Sequence, residues 1–143
     1  MAEHAAIIGA GVIGAAWAAR FVLHGIDVKI SDPSPHAERI MGEVLDNARA
    51  AWDGLGLPEP VEGTVTFCES IAGAVTGAMH VQESAPEDPD IKIPILEAIA
   101  AACPPVPALA SATSGLIPSL LHPLAYNHRP RPTTRLHYAP SAL

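Results

Sequence analysis

The sequence predicts an α/β fold in which a doubly wound parallel sheet carries helices on both faces. Three observations lead to this prediction. Strand-like and helix-like segments alternate along the 143 residues, which is typical of parallel strands joined by crossover helices. Hydrophobic residues make up 49% of the chain but aromatic residues only 4%, so the core is built from Ala, Val, Ile and Leu, as in sheets buried on both faces. Near the N-terminus, an apolar strand ends in glycines spaced as G-x-G-x-x-G and continues into an alanine-rich helix.

The predicted elements follow one another in a regular order. The strands lie at about residues 5–9, 27–31, 64–68, 78–82 and 106–110. The helices lie at about 12–24, from Ser34 or Pro35 to a break at 54–60, from Ser70 to Gly77, and at about 91–102. Gly25 and Ser70 stand where a helix C-terminal cap and a helix N-terminal cap are expected. With right-handed crossovers, these elements form one Rossmann-type dinucleotide-binding domain over residues 1–121.

The glycine motif, in the stretch IIGAGVIGAAWAARF, predicts a binding site for a dinucleotide. Gly9 permits the tight turn, Gly11 lets the backbone approach a pyrophosphate, and Gly14 lets the helix pack against the strand. The free N–H groups and the positive dipole end of the helix would hold the phosphates. The predicted cofactor-binding residues of this loop are Gly9, Ala10, Gly11, Val12, Ile13 and Gly14. The alternative is a buried strand and helix whose glycines serve close packing only.

Asp32 supplies the second part of the predicted dinucleotide site. It closes the second strand, 23 residues after Gly9, where the motif places an acidic residue that accepts a hydrogen bond from a ribose 2′-OH. A carboxylate at this position repels the 2′-phosphate of NADP, and no arginine follows it closely to receive that phosphate. The sequence therefore predicts NAD as the cofactor.

Composition and charge argue against several other classes of function. The net charge is −7 and lysine occurs only twice, which disfavours binding to a nucleic-acid backbone. The two cysteines form neither a disulfide framework nor a metal-ligand pattern, so we expect a cytoplasmic protein without a metal site. The uncharged run at 5–19 is shorter than the roughly 20 residues of a membrane span, and no Lys or Arg precedes it as in a signal peptide. We therefore expect neither nucleic acid nor a membrane as a partner.

Four stretches together resemble a known family: IIGAGVIGAAWAARF, DVKISDPSPHAER, VQESAPED and SATSGLIPSL. They are similar to the NAD-binding domain of the 3-hydroxyacyl-CoA dehydrogenase family, most closely to its carnitine dehydrogenase branch, over residues 4 to about 121. The resemblance implies an NAD-dependent oxidoreductase acting on the 3-hydroxyl of a small-molecule 3-hydroxy acid, with oxidation of L-carnitine to 3-dehydrocarnitine favoured. A 3-hydroxyacyl-CoA substrate is an alternative, and so is an NAD-binding module without turnover.

The choice of carnitine depends on one segment. Residues 36–56 lack the lysine that the acyl-CoA enzymes of the family place there for the CoA phosphates. Arg39 or Arg49 could receive a phosphate equally well, so an acyl-CoA stays an alternative to carnitine.

The resemblance also implies roles for three residues that follow the fourth and fifth predicted strands. Glu87 and Lys92 match a glutamate and a lysine that contact the nicotinamide side of the cofactor. Ser114 matches a serine that bonds both the substrate oxygen and the cofactor region, which makes it a candidate catalytic and cofactor-binding residue. The alternatives are a solvated acidic loop with a surface lysine, and a helix cap formed by Thr113 and Ser114.

The catalytic base is the least defined part of the predicted site. Oxidation of a secondary alcohol needs a proton acceptor, most often a histidine oriented by a carboxylate. His137 lies 23 residues after Ser114 and is the candidate, although RLHYAP matches the family segment poorly. His122 and His128 qualify by residue type only, and no acidic residue follows Glu97 to orient any of them.

Residues 122–143 differ in composition from the rest of the chain. They contain three arginines, four prolines and no acidic residue, which indicates a divergent or truncated tail. The resemblance implies a further helical domain through which family members dimerise, and no such segment occurs in this sequence. We therefore expect the isolated chain to bind NAD without oxidising its substrate.

Overall fold

A computed structural model of the chain describes residues 3–102 and 108–116, together with the backbone of residues 137–138. Its strands are β1 (His4–Ile8), β2 (Asp27–Ser31), β3 (Val65–Phe67), β4 (Ala78–Glu83), β5 (Leu109–Ser111) and β6 (His137–Tyr138). Its helices are α1 (Val12–Leu23), α2 (Ala37–Gly54), α3 (Ile71–Val75) and α4 (Pro89–Ala102).

The strands form one sheet in the order β3-β2-β1-β4-β5-β6, and all neighbouring strands pair in parallel. From β1 the chain winds outward to β3, crosses back to β4, and then winds outward in the other direction. The prediction of a doubly wound parallel sheet is confirmed. The direction reverses between β1 and β4, and open sheets of this kind bind ligands at the carboxyl ends of the strands beside such a reversal.

The sheet is covered on both faces by hydrophobic clusters. One cluster packs α1 and α2 on β1 and β2, and the other packs α3 and α4 on β1, β4 and β5. Strand β1 serves both clusters because its consecutive residues Ile7 and Ile8 point to opposite faces. Ala15 and Ala18 of α1 are fully buried, so this small-residue face lets the helix lie close to the sheet.

Two predicted helix caps are present in the structure. The Ser70 hydroxyl accepts a hydrogen bond from the Gly73 N–H at 3.1 Å and so caps α3. After α1, Gly25 adopts a φ of +77°, and its N–H donates to the Val22 carbonyl at 2.9 Å. Both contacts satisfy backbone groups that a helix end leaves without partners inside the helix.

Two helix boundaries differ from the prediction, each for a local reason. Helix α2 begins at Ala37 instead of Ser34 or Pro35, because Ser34 is engaged in a turn: its N–H donates to Asp32 and its hydroxyl accepts from His36. Helix α4 begins at Pro89, two residues before the predicted start, because proline suits the first helical position.

The remaining predictions about organisation fall mostly outside the described residues. Strand β5 begins at Leu109, within the predicted strand at 106–110. The first two residues of that predicted strand, 106–107, lie outside the described residues. The predicted domain boundary at 121–122 also lies outside them and stays a prediction. None of the helices in the described ranges is long and apolar enough to cross a membrane.

Candidate cofactor-binding site

A cleft of about 1390 Å³ lies at the carboxyl ends of β1, β2, β4 and β5, beside the reversal of strand order. It exceeds the ~300–1,000 Å³ that is common for pockets of drug-sized ligands, so it has room for a dinucleotide. Seven of the predicted site residues line it: Gly9, Gly11, Val12, Ile13, Asp32, Glu87 and Ser114. The glycine motif, residues 9–14, and Asp32 lie at one end of the cleft, here called the glycine end. Glu87 and Ser114 lie at the other, here called the serine end; the Gly115 N–H bonds Glu87 there without lining the cleft.

At the glycine end, the three glycines of the motif have three different surroundings. Gly9 has a φ of +89°, and a Cβ added to it would lie 2.9 Å from the backbone of Ser84 and Ala85. A Cβ on Gly14 would lie 1.8 Å from the Gly9 carbonyl oxygen. A Cβ on Gly11 would meet no atom of residues 3–102 or 108–116 within 4 Å. Gly9 and Gly14 are therefore required by the fold, whereas the position of Gly11 is open towards the cleft.

The first turn of α1 faces the cleft and has no side-chain cap among the residues that the structure describes. Gly11 is the N-cap residue and supplies no side-chain hydrogen bond, and the first turn contains no acidic residue. Val12 and Ile13 are 75% and 59% exposed, which is unusual for apolar residues at the start of a buried helix. Free N–H groups and the positive end of the helix dipole make this turn suitable for a phosphate.

Asp32 connects the glycine turn to the end of β2. Its Oδ2 accepts the Ala10 N–H at 2.6 Å, and its Oδ1 accepts the Ser34 N–H at 2.7 Å. A carboxylate offers about four acceptor sites, so these two bonds leave capacity for the hydroxyls of a ribose. Ala10 thus contributes through Asp32, although it does not itself line the cleft.

At the serine end, Glu87 and Ser114 are in direct contact, although 27 residues separate them. Glu87 Oε1 accepts the N–H groups of Ser114, at 2.5 Å, and of Gly115, and its Oε2 accepts the Ser114 hydroxyl at 3.0 Å. One acceptor site of the carboxylate remains for a ligand. Because the Ser114 hydroxyl donates to Glu87, it presents lone pairs to the cleft and can accept a hydrogen bond from an alcohol.

These contacts hold the pKa of Glu87 below the ordinary glutamate value. The Gly115 N–H makes the largest contribution, followed by the N–H and the hydroxyl of Ser114, and Lys92 adds a smaller charge effect. Hydrogen bonds to a carboxylate stabilise its ionised form. Glu87 is therefore an acceptor at neutral pH, as a partner for ribose hydroxyls must be.

Lys92 lies in an environment that the sequence did not predict. Its Nζ contacts Glu83 Oε1 at 2.9 Å and Oε2 at 3.0 Å, and the Ala112 carbonyl at 3.3 Å. Both charged side chains are 0% exposed. The alternative of a surface lysine is wrong, because Lys92 and its acidic partner Glu83 are both buried. In this structure the three N–H groups of Lys92 all have acceptors within the protein. The contact of Lys92 with the cofactor stays a prediction.

Two buried hydroxyls extend the ion pair towards the cleft. Ser111 donates to Glu83 Oε2 and lies 2.7 Å from the Thr113 hydroxyl oxygen. Since the single proton of Ser111 is given to Glu83, Thr113 must donate to Ser111. Glu83 and Ser111 were not predicted as site residues. The available signal was an acidic residue at the end of an apolar strand, nine residues before one of only two lysines.

The histidines of the predicted site are only partly described. For His137 the structure gives the backbone alone, which pairs with Ala110 of β5, so its role as base stays a prediction. His122 and His128 lie outside the described residues. His80 of β4 also lines the cleft. Its Nε2 is buried and has no hydrogen-bond partner in the part of the chain that the structure describes, and burial lowers the pKa of the ring.

The residues of the cleft fit NAD. The space in front of Gly11 and the uncapped first turn of α1 suit a pyrophosphate, since no charged or bulky side chain of the described residues occupies them. Asp32 and Glu87, one at each end, retain acceptor sites for the hydroxyls of two riboses.

Comparison with known proteins supports the same assignment. The family model described as 3-hydroxyacyl-CoA dehydrogenase, NAD binding domain, matches residues 4–141. The chain is 52% identical over 118 residues to the L-carnitine dehydrogenase/betainyl-CoA thioesterase of Ruegeria pomeroyi, which covers 82% of the chain and 24% of that protein. It is 48% identical over 118 residues to the L-carnitine dehydrogenase of Mesorhizobium japonicum, covering 80% of the chain and 32% of that protein. The chain thus spans about a quarter to a third of the length of these relatives.

A solved structure shows the same fold. The chain is 34% identical to 5-formyl-3-hydroxy-2-methylpyridine 4-carboxylic acid 5-dehydrogenase, an NAD+-dependent dismutase, with a TM-score of 0.74 over 87% of the chain and 41% of that structure. The family match includes every residue predicted to bind the cofactor, and it confirms NAD as the cofactor of the family domain. The chain belongs to the 3-hydroxyacyl-CoA dehydrogenase family, as an NAD-binding domain of that family.

Proposed function

We propose that this chain is the cofactor-binding portion of an NAD-dependent dehydrogenase that oxidises the 3-hydroxyl of a small 3-hydroxy acid, with L-carnitine as the favoured substrate. The observation that carries the proposal is the contact between Glu87 and Ser114 at the serine end of the cleft. It places an ionised acceptor and an alcohol-binding hydroxyl side by side. The identity of about half of the residues to L-carnitine dehydrogenases supports the choice of substrate.

The residues of the serine end would orient the reactants. NAD, when bound, accepts the hydride that leaves the substrate carbon. Ser114 would contact the substrate oxygen through its hydroxyl, and the single proton of the substrate hydroxyl would point towards the base. Holding the alcohol in one orientation accelerates the reaction by positioning. Ser114 cannot take the proton away, and His137 is proposed for that step.

The two arginines considered for a CoA phosphate are engaged elsewhere. Arg39 pairs with Glu43 at 2.7 Å, and Arg49 bonds Glu62 through Nε at 2.8 Å and Nη2 at 2.6 Å. The pKa of Arg49 is raised, mainly by its bonds to Glu62. A phosphate would have to compete with these carboxylates, and residues 36–56 contain no lysine. This arrangement supports carnitine over an acyl-CoA.

The proposal includes parts of the site that this chain does not supply. The relatives extend well beyond the 118 matched residues. We propose that such additional chain completes the substrate half of the site and forms the dimer contact that the resemblance implies. A cytoplasmic location, where NAD is available, belongs to the same proposal.

A chimera tests the proposed activity. Residues 4–121 of this chain replace the matched segment in the Ruegeria pomeroyi relative, and NADH absorbance is followed with L-carnitine and with 3-hydroxybutyryl-CoA. We expect NADH to form with L-carnitine and not with the CoA ester. The same chimera with Gly11→Val, which blocks the pyrophosphate position, is the matched control and should form none.

Cofactor binding by the chimera is measured alongside turnover. A chimera that binds NAD but makes no NADH from either substrate would contradict the proposal and favour a binding module without turnover. NADH from 3-hydroxybutyryl-CoA alone would favour the acyl-CoA alternative.

A further inference from the structure

The buried ion pair of Glu83 and Lys92 lies beneath the serine end. Glu83 is the last residue of β4, and Lys92 lies in the first turn of α4. The pair therefore joins the two elements that flank residues 84–88, the loop that carries Glu87. Both side chains are 0% exposed, whereas Glu87 and Ser114 are exposed.

The same pair also holds the loop that carries Ser114. Lys92 donates to the Ala112 carbonyl at 3.3 Å, and Glu83 accepts the Ser111 hydroxyl. On the other side, Glu83 Oε1 accepts the Ala85 N–H at 2.6 Å. The two backbone segments that meet in the contact between Glu87 and Ser114 are thus tied to one buried carboxylate and one buried ammonium.

All hydrogen-bonding capacity of the pair is used inside the protein. Glu83 accepts four hydrogen bonds, two from Lys92, one from Ala85 and one from Ser111, which fills the acceptor sites of a carboxylate. Lys92 has three N–H groups and three acceptors. No proton of Lys92 is left for a ligand.

Stability alone does not account for an ion pair at this place. Removing two charges from water is costly, and apolar side chains of similar volume often serve a core as well or better. Because hydrogen bonds are directional, the ion pair fixes the positions of the groups that bond to it. These groups belong to the two loops that carry Glu87 and Ser114.

We propose that Glu83 and Lys92 are positioning residues: their buried ion pair holds Glu87 and Ser114 in place for the nicotinamide half of NAD. This inference rests on the proposed NAD binding. The glycine end takes its ligand-facing groups from the turn after β1, the start of α1 and the end of β2, and none of these groups bonds to the side chains of the pair. Loss of the pair should therefore weaken binding of whole NAD and leave binding of ADP unchanged.

The first experiment measures affinity by calorimetry for NAD and for ADP, in the purified chain and in Lys92→Met. We expect the NAD affinity to fall at least about tenfold, the equivalent of one hydrogen bond to a charged group, and the ADP affinity to change less than about twofold. Lys29→Met makes the same change at the other lysine, in β2, and should affect neither ligand. Equal loss of both affinities, or an unchanged NAD affinity, would overturn the proposal.

The second experiment separates positioning from direct contact. Amide resonances of Ser114 and Gly115, whose N–H groups donate to Glu87, are recorded by NMR without any ligand. Positioning predicts that Lys92→Met shifts them, whereas a lysine that only contacts the cofactor would leave them unchanged. If Lys92→Met does not fold, the same measurement is made on Glu83→Gln. Positioning then predicts that the amide resonances of Ser114 and Gly115 shift, by less than a complete loss of the ion pair would cause. Because no ligand is present, this result is independent of whether the chain binds NAD; failure of the wild-type chain to bind NAD would sink the proposed function alone.

Discussion

The two ends of the cleft differ in which parts of the chain form the binding site. At the glycine end it is mainly backbone: Gly9 and Gly14 allow close approach of chain segments, and Gly11 leaves space for a ligand. The serine end consists of side chains with specific partners, from Glu87 at the surface to Glu83 and Lys92 in the interior. Adding atoms should therefore disrupt the first end, and removing hydrogen-bonding groups should disrupt the second.

The two ends also differ in how they are built from the sequence. The glycine end lies within residues 9–34, on one β-α-β unit. The serine end combines segments 27 residues apart in sequence, after β4 and after β5. Its geometry depends on the register of β4 with β5, in which Glu83 pairs with Ser111. One end is a local structure and the other is a product of the whole sheet.

The largest expected effect comes from Gly14→Ala. The added Cβ would lie 1.8 Å from the Gly9 carbonyl oxygen, which is backbone and cannot move without disturbing the turn. We expect the free energy of unfolding to fall by more than about 3 kcal/mol, measured by urea denaturation. Gly42→Ala in α2 is the matched control, because among the described residues no atom lies within 4 Å of its Cβ; there alanine should stabilise the helix by about 0.5–1 kcal/mol. Equal stability of the two variants would show that the turn is not rigid.

The next effect separates binding from folding at the same motif. In Gly11→Val the side chain enters the open space where the pyrophosphate is expected, and φ at this position is an ordinary −64°. We expect NAD affinity to fall at least about a hundredfold, a loss near 3 kcal/mol, with an unchanged urea midpoint. Calorimetric titration measures the affinity, and Gly42→Ala should bind NAD normally. Unchanged affinity in Gly11→Val would mean that the motif serves packing only.

Asp32 gives a third test, on cofactor choice at the glycine end. Its charge should make the wild-type chain bind NAD more tightly than NADP, because a 2′-phosphate would lie close to the carboxylate. In Asp32→Asn we expect the ratio of the two affinities to shift towards NADP by about tenfold or more, as removal of a close repulsion implies. Tighter binding of NADP by the wild-type chain would contradict the assignment of Asp32.

The sequence allowed much of the glycine end to be predicted, because its signals are local. Glycine spacing, the helix that follows and Asp32 at a strand end are all readable within one unit. At the serine end, Glu87 and Ser114 were assigned only through the family resemblance. Their contact depends on the register of β4 with β5. The burial of Lys92 and Glu83 depends on which charged side chains point into the interior of the fold. An acidic cluster in a sequence does not show that one of its members points inward.

The smallest expected effect concerns the exposed contact at the serine end. The pKa of Glu87 is lowered from its ordinary value of 4.5, first by the Gly115 N–H and then by the N–H and hydroxyl of Ser114. Because the folded-state pKa is depressed, the contact is fully present above pH 4.5 and is lost as the pH falls through the lower folded value. In an NMR titration, the amide protons of Ser114 and Gly115 should therefore shift with a midpoint below 4.5.

Two variants sharpen this last prediction, with circular dichroism identifying the pH at which each chain unfolds. Ser114→Ala removes one donor to the carboxylate and keeps the two backbone donors, so the midpoint should rise towards 4.5 without reaching it. Glu87→Gln cannot ionise, so both amide protons should lose the transition altogether. A wild-type midpoint at or above 4.5 would contradict the contact itself, since three donors around one carboxylate can only favour its ionised form.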